Sequence, residues 1–153
     1  MPGTPISSNM NISPQNLPDY LSPEELQQYF LKLLDAAPKM DAVNVVDALW
    51  ELADRQWHTY TCLDDGIKTK VDKYVSSLLK ELNWTSKGSV NLMRETLAVI
   101  GNLGLQESYA QVLSLENRKD IHRDVYIEIE RFLDQIRNQK GNQILDPYFD
   151  TGQ

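Results

Sequence analysis

Residues 89–104 read SVNLMRETLAVIGNLG. Met93, Leu97 and Ile100 fall on one helical stripe and Gly104 supplies a stop, so the stretch predicts an amphipathic helix with a glycine C-cap. A shorter helical stretch, QESYAQVLSLE, follows at residues 106–116. Another long one, KDIHRDVYIEIERFLDQI, occupies residues 119–136. A long helix, a tight glycine turn, a short helix, a polar turn and a long helix predict stacked helical hairpins.

Upstream the same period continues. Ser22-Pro23-Glu24-Glu25 combines a capping serine, a first-turn proline and a Glu that closes a capping box. Leu26, Tyr29, Phe30, Leu33 and Leu34 then hold i, i+3, i+4, i+7, i+8 spacing, and Pro38 ends that helix. Asp41 is placed to cap the next, whose stripe is Val45, Val46, Leu49, Trp50 and Ala53, with Trp57 two turns after Trp50. Residues 57–64 read as a continuation of this helix or a short separate one, and Asp65-Gly66 reads as a turn. Ile67, Val71, Tyr74, Val75, Leu78, Leu79 and Leu82 form the cleanest stripe, and residues 84–88 read as a turn. No alternating apolar and polar run signals a strand. The fold class is therefore all-α, with six or seven helices as antiparallel hairpins.

Residues 1–20 carry Pro2, Pro5, Pro14 and Pro18 and read as a flexible arm, its end pinned by Leu17, Tyr20 and Leu21. Residues 21–141 read as a single helical domain. In the tail, residues 142–153, Ile144, Leu145, Tyr148 and Phe149 suit docking on the body or on a partner.

Four cassettes, VVDALWEL, VDKYVSSLLKEL, MRETLAVIGNL and RDVYIEIERFL, recur at hairpin-like intervals. The last two are the most alike. Met93-Arg94 opens one and His122-Arg123 the other, with LGLQESYAQVLSL between. This segment, about residues 90–137, resembles HEAT-type repeats, in which an Arg-led helix ends in a small-residue turn and a short helix follows. It departs from them in its sparse alanine, its uneven linkers and the missing short helix before Ser89. The resemblance implies an α-solenoid whose surface binds another macromolecule. An irregular helical bundle, built by the same packing rules, is the alternative.

The totals narrow the function. The 153 residues are 41% apolar and 24% charged, enough for one core, and the net charge is −7 with a pI near 4.8. So acidic a surface disfavours nucleic acid and suits a basic partner, or serves solubility. One cysteine, Cys62, forms no internal disulfide and fits a reducing compartment. The first residues show neither a basic region nor an apolar run of a signal peptide, and no window is apolar enough for a membrane span. Cytoplasmic location is the expectation. Two sequon matches, at Asn11 and Asn83, read as chance.

Catalytic motifs are hard to assemble. His122-Arg123-Asp124 spells the start of a kinase catalytic loop, but Ile129 stands where its Asn belongs and no phosphate loop exists. It reads as the polar start of a helix. His58 and Cys62 are spaced i, i+4, yet the chain's two histidines and one cysteine leave a zinc site dependent on carboxylates. A buried thiol beside a surface histidine is the plainer expectation. Gly101-Asn102-Leu103-Gly104 lacks the Gly-Lys-Ser/Thr of a phosphate loop. The pairs Glu24-Glu25, Asp64-Asp65 and Glu128-Glu130 read as solvated surface. No catalytic residue, metal or cofactor is expected.

What remains is a non-enzymatic protein-binding module. Its concrete form is an immunity-type inhibitor that occludes a basic toxin such as a nuclease. The alternatives are an adaptor or assembly factor in a host complex, and an enzyme with an unrecognised carboxylate site. The expected contact surface is Trp57, Tyr60, Asp64 and Asp65, with Trp84, Asp124 and Glu128.

Overall fold

In the computed structural model, residues 17–138 are described. The expected tail docking lies outside them, as does most of the arm. Within them lie six α-helices and no strand: α1 (Pro23–Ala36), α2 (Ala42–Trp57), α3 (Asp65–Glu81), α4 (Val90–Leu103), α5 (Gln106–Glu116) and α6 (Arg123–Arg137). Short 3₁₀ turns at Ala37–Lys39 and Lys87–Ser89 precede α2 and α4. None of the helices is long and apolar enough to cross a membrane.

Local chemistry sets most boundaries. Ser22 Oγ accepts from Glu25 N at 3.2 Å and Glu25 Oε1 accepts from Ser22 N at 2.9 Å, completing the capping box. Gly104 adopts φ 70° and donates its N–H to Ile100 O at 2.8 Å, the left-handed stop read from the sequence. His122 caps α6, its Nδ1 accepting from Asp124 N at 3.1 Å. Asp41 stands at the start of α2, but its side chain makes no cap hydrogen bond.

The helices form two rows. α2, α4 and α6 pack side by side in one, and α1, α3 and α5 in the other, so each helix lies beside the second one along as well as its hairpin partner. The starts of α2 and α4 line one groove and the starts of α4 and α6 line the next, so the helices of this row run in one direction. This packing suits a stacked-hairpin solenoid and an irregular bundle alike. Arg94 stands one turn inside α4 whereas Arg123 opens α6, so the two arginines of the repeated cassette hold different places in their helices.

Between the rows lies one continuous core. Leu26, Phe30 and Leu33 of α1 join Val45, Leu49 and Leu52 of α2, Val71, Val75 and Leu79 of α3, Met93, Leu97 and Ile100 of α4, Val112 of α5 and Ile129 and Leu133 of α6. Every stripe read from the sequence faces it. Leu17 and Leu21 are buried and pin the end of the arm, helped by Arg55 Nε, which donates to Pro18 O at 2.7 Å. Tyr20 does not join them and is 71% exposed.

α5 is capped from outside its own sequence. Leu105 precedes it without a side-chain cap. Asp72, in the middle of α3, fills that role: its carboxylate accepts from Glu107 N at 3.0 Å and from Ser108 N at 2.8 Å, and Ser108 Oγ donates to it at 2.6 Å. A carboxylate on two orphan N–H groups at a helix start is favoured by the hydrogen bonds and by the helix dipole together.

Candidate functional site

Residues 58–64 form neither a continuation of α2 nor a helix of their own. His58 ends α2 in a turn, and Tyr60 adopts φ 58°. Asp64 then caps α3, its Oδ2 accepting from Gly66 N at 3.0 Å and Ile67 N at 3.2 Å. Asp65-Gly66 is therefore the first turn of α3. The cap satisfies two orphan donors at once, which a free Asp-Gly turn would leave to water.

The loop is stapled from within. Gln56 is buried, and its Nε2 donates to Thr61 O at 2.9 Å and to Thr59 Oγ1 at 3.3 Å. Thr59 Oγ1 donates to Gln56 O at 2.7 Å. Leu63 is buried beneath. Held this way, the loop presents Tyr60 at 90% exposure and Trp57 at 53%. Cys62 is exposed too, contrary to the expected buried thiol. With no helix through residues 58–62, His58 and Cys62 share no helical face. His58 Nδ1 donates to Asp54 O at 2.8 Å instead.

Of the remaining expected residues, Trp84 is a core side chain. It is fully buried, its Nε1 donates to Leu79 O at 3.1 Å, and its carbonyl accepts from His122 N at 2.9 Å. A tryptophan in a turn suggests an exposed contact residue, but here the turn folds inward and ties α3 to the start of α6. The same tie places Asp124 at the end of the molecule where α3 finishes and α4 starts. Trp57, Tyr60, Asp64 and Asp65 lie at the other end, where α2 finishes and α3 starts. The structure therefore keeps Asp124 and Glu128 together but separates them from the 57–65 loop.

Asp124 and Glu128 border a groove of about 470 Å³ between α4 and α6. Glu128 is not a solvated carboxylate. Arg94 grips both its oxygens, Nε at 3.3 Å from Oε1 and Nη2 at 3.2 Å from Oε2, and Arg131 Nη1 lies 3.5 Å from Oε2. The hydrogen bond to Glu128 and its charge hold Arg94 above the ordinary arginine value.

The neighbouring groove was not read from the sequence. It spans about 600 Å³ between α2 and α4, and Val43, Asp47, Trp50, Leu92, Glu95 and Ala98 line it. Val43, Asp47 and Trp50 share one face of α2 by i, i+4, i+7 spacing, and Asn91, Glu95 and Ala98 repeat that spacing on α4. Burial, a hydrogen bond to the Asp47 carboxyl and the charges of Asp47 and Glu51 push Glu95 up to about 7. The Glu95 carboxyl thus holds its proton to near neutral pH against the neighbouring negative charges. The only sequence signal was the second, half-polar stripe of α2. Nothing in the chain announced that α2 would lie against α4.

Among the described residues, no group of three or more His, Cys, Asp and Glu side chains is placed to hold a metal ion. Comparison with protein-family models, with curated proteins and with solved structures finds no match to this chain.

Proposed function

We propose that this chain is a non-enzymatic protein-binding module whose contact surface is centred on residues 57–65. One observation carries the reading: an internally hydrogen-bonded loop holds Tyr60 almost fully exposed in a left-handed conformation. A strained non-glycine residue whose aromatic ring packs against little of its own protein points to use elsewhere. Pre-organised aromatic anchors bind well because little entropy remains to be lost. Trp57 and Asp65 extend the surface. Trp84 is left out of it, and Asp124 and Glu128 belong to a separate one.

The concrete form is an immunity-type inhibitor. Its net charge of −7 would draw in a basic toxin, and the loop would plug the toxin's working cleft. A HEAT-like arrangement, with which the two rows of helices are compatible, and a cytoplasmic location belong to the same proposal. An adaptor in a host complex would use the same loop. The carboxylate-enzyme reading has one observation in its favour, the Glu95 carboxyl pushed up to about 7 beside Asp47. It would require catalytic turnover that disappears in Glu95→Gln, whereas the binding module has none.

The test is affinity capture from the source cell with the tagged full chain, run beside the double variant Trp57→Ala, Tyr60→Ala. A basic protein retained in stoichiometric amount by the first and lost by the second is the expected result. Equal retention by both would sink the loop as the contact surface.

A further inference from the structure

The α2–α4 groove combines an apolar lining with an acidic wall. Val43 is a valine 54% exposed on the surface of a helix, and Trp50 packs only partly into the core. Leu92 and Ala98 continue the apolar lining on α4. Asp47 of α2 and Glu95 of α4 line it from opposite sides, and the charge of Glu51 also acts on Glu95.

The basic groups nearby are engaged elsewhere. Arg55 Nη1 holds Glu51 at 2.7 Å. Arg94, on the wall of the groove, is turned to Glu128 and Asn91. The charges that act on Glu95 are both negative. The pair is relieved by taking up a proton, or by a cation from outside. Trp50 also lines this groove, and an aromatic ring is a favourable neighbour for a guanidinium or ammonium group.

We propose that the α2–α4 groove receives a basic amphipathic segment of a partner protein, with a Lys or Arg side chain between Asp47 and Glu95 and apolar side chains along Val43, Trp50 and Ala98. From Val43 to Trp50 the groove follows two helical turns, about 10 Å, which matches anchors spaced i, i+3 or i+4, i+7 on a helical ligand. This contact is separate from the 57–65 loop and shares with the preceding section only the premise that the ligand is a protein.

Protonation of Glu95 competes with the cation. If the segment binds the ionised pair alone, affinity falls about ten-fold from pH 8 to pH 6. The charged groups facing Glu95 are Asp47 and Glu51 on α2; Arg94, the residue before it on α4, is turned away to Glu128 and Asn91. His58 lies in the distant loop, and His122 at the start of α6 is fixed as its cap.

The probe is a synthetic twelve-residue Leu/Arg/Ala amphipathic peptide, titrated into the full ¹⁵N-labelled chain, with a Leu/Glu/Ala peptide as control. The expected result is displacement of the Trp50 indole and the Asp47 and Glu95 amide signals by the Arg peptide only. The Asp47→Asn, Glu95→Gln variant should bind at least ten-fold more weakly, and Glu95→Gln alone should lose the pH dependence. Trp57→Ala and Tyr60→Ala should leave this binding intact, so failure here and failure of the loop are read separately. Equal binding by the double variant, or shifts confined to the α4–α6 groove, overturns the proposal. So does binding seen only after removal of residues 139–153, which would make the chain's own tail the occupant. Self-association of the unliganded chain that Asp47→Asn, Glu95→Gln abolishes would overturn it in favour of a second copy.

Discussion

Tyr60 holds a φ of 58°, a region that costs a non-glycine residue about 1–2 kcal/mol. Tyr60→Gly should therefore leave stability unchanged or raise it by up to about 1 kcal/mol in urea denaturation, while weakening partner capture. Lower stability in the variant would show that the ring is structural. Trp84 stands at the opposite extreme, buried with its indole N–H on Leu79 O. Trp84→Phe removes that donor and leaves a cavity, and a loss of about 1–3 kcal/mol is expected from the unmet carbonyl alone. Glu95 gives a pH signature. Its folded value near 7 lies above its ordinary value of 4.5, so the folded state binds more protons between the two. Its contribution to stability is thus complete below pH 4.5 and is lost as the pH rises through 7. Denaturation midpoints at pH 5, 6, 7 and 8 should show Glu95→Gln gaining on the wild type as pH rises. A constant difference between the two would show that Glu95 does not keep its proton to neutral pH.

At the scale of elements, the helices separate into those specified locally and those specified by a neighbour. α1 carries its own capping box, α3 its own Asp64 cap and α4 its own glycine stop. The box and the glycine stop are legible as adjacent residue types, whereas Asp64 reads as a solvated carboxylate before a turn and only the structure makes it a cap. α5 is short and begins after an uncapped leucine, so its start depends on Asp72 of α3. Asp72→Ala strips the acceptor from two helix N–H groups and leaves the buried Ser108 hydroxyl only the main-chain carbonyl of residue 72, at 3.1 Å. A loss of about 1–3 kcal/mol is expected, with hydrogen exchange rising first in α5. An α5 as protected as before would show that packing on α3 suffices without the cap. The 58–64 segment failed as a helix because its polar groups had better partners. The Gln56 amide nitrogen, Thr59 and Thr61 hydrogen-bond one another, and Asp64 serves the next helix.

For the whole molecule, two helical rows around one core leave the α2–α4–α6 face with two adjoining grooves, and the 57–65 loop at one end. With a net charge of −7, association with a basic protein should be steered at long range. Its on-rate should fall several-fold between 0.05 and 0.5 M salt, while the off-rate changes less. A salt-independent on-rate in stopped-flow would mean that acidity serves solubility alone.

The helical stripes, the Ser22–Glu25 box and the Gly104 stop were legible because helix period and capping act within a few residues of chain. So were the all-α class and the hairpin order. The tertiary structure alone decided the rest. It turned Trp84 inward, parted Asp124 and Glu128 from the 57–65 loop, and brought Asp47 to Glu95 and Asp72 to Ser108. Each of these joins residues more than thirty positions apart or separates residues of like composition. Their free energies depend on which helix faces which, and a stripe of apolar residues fixes only that a helix must be covered, not by what.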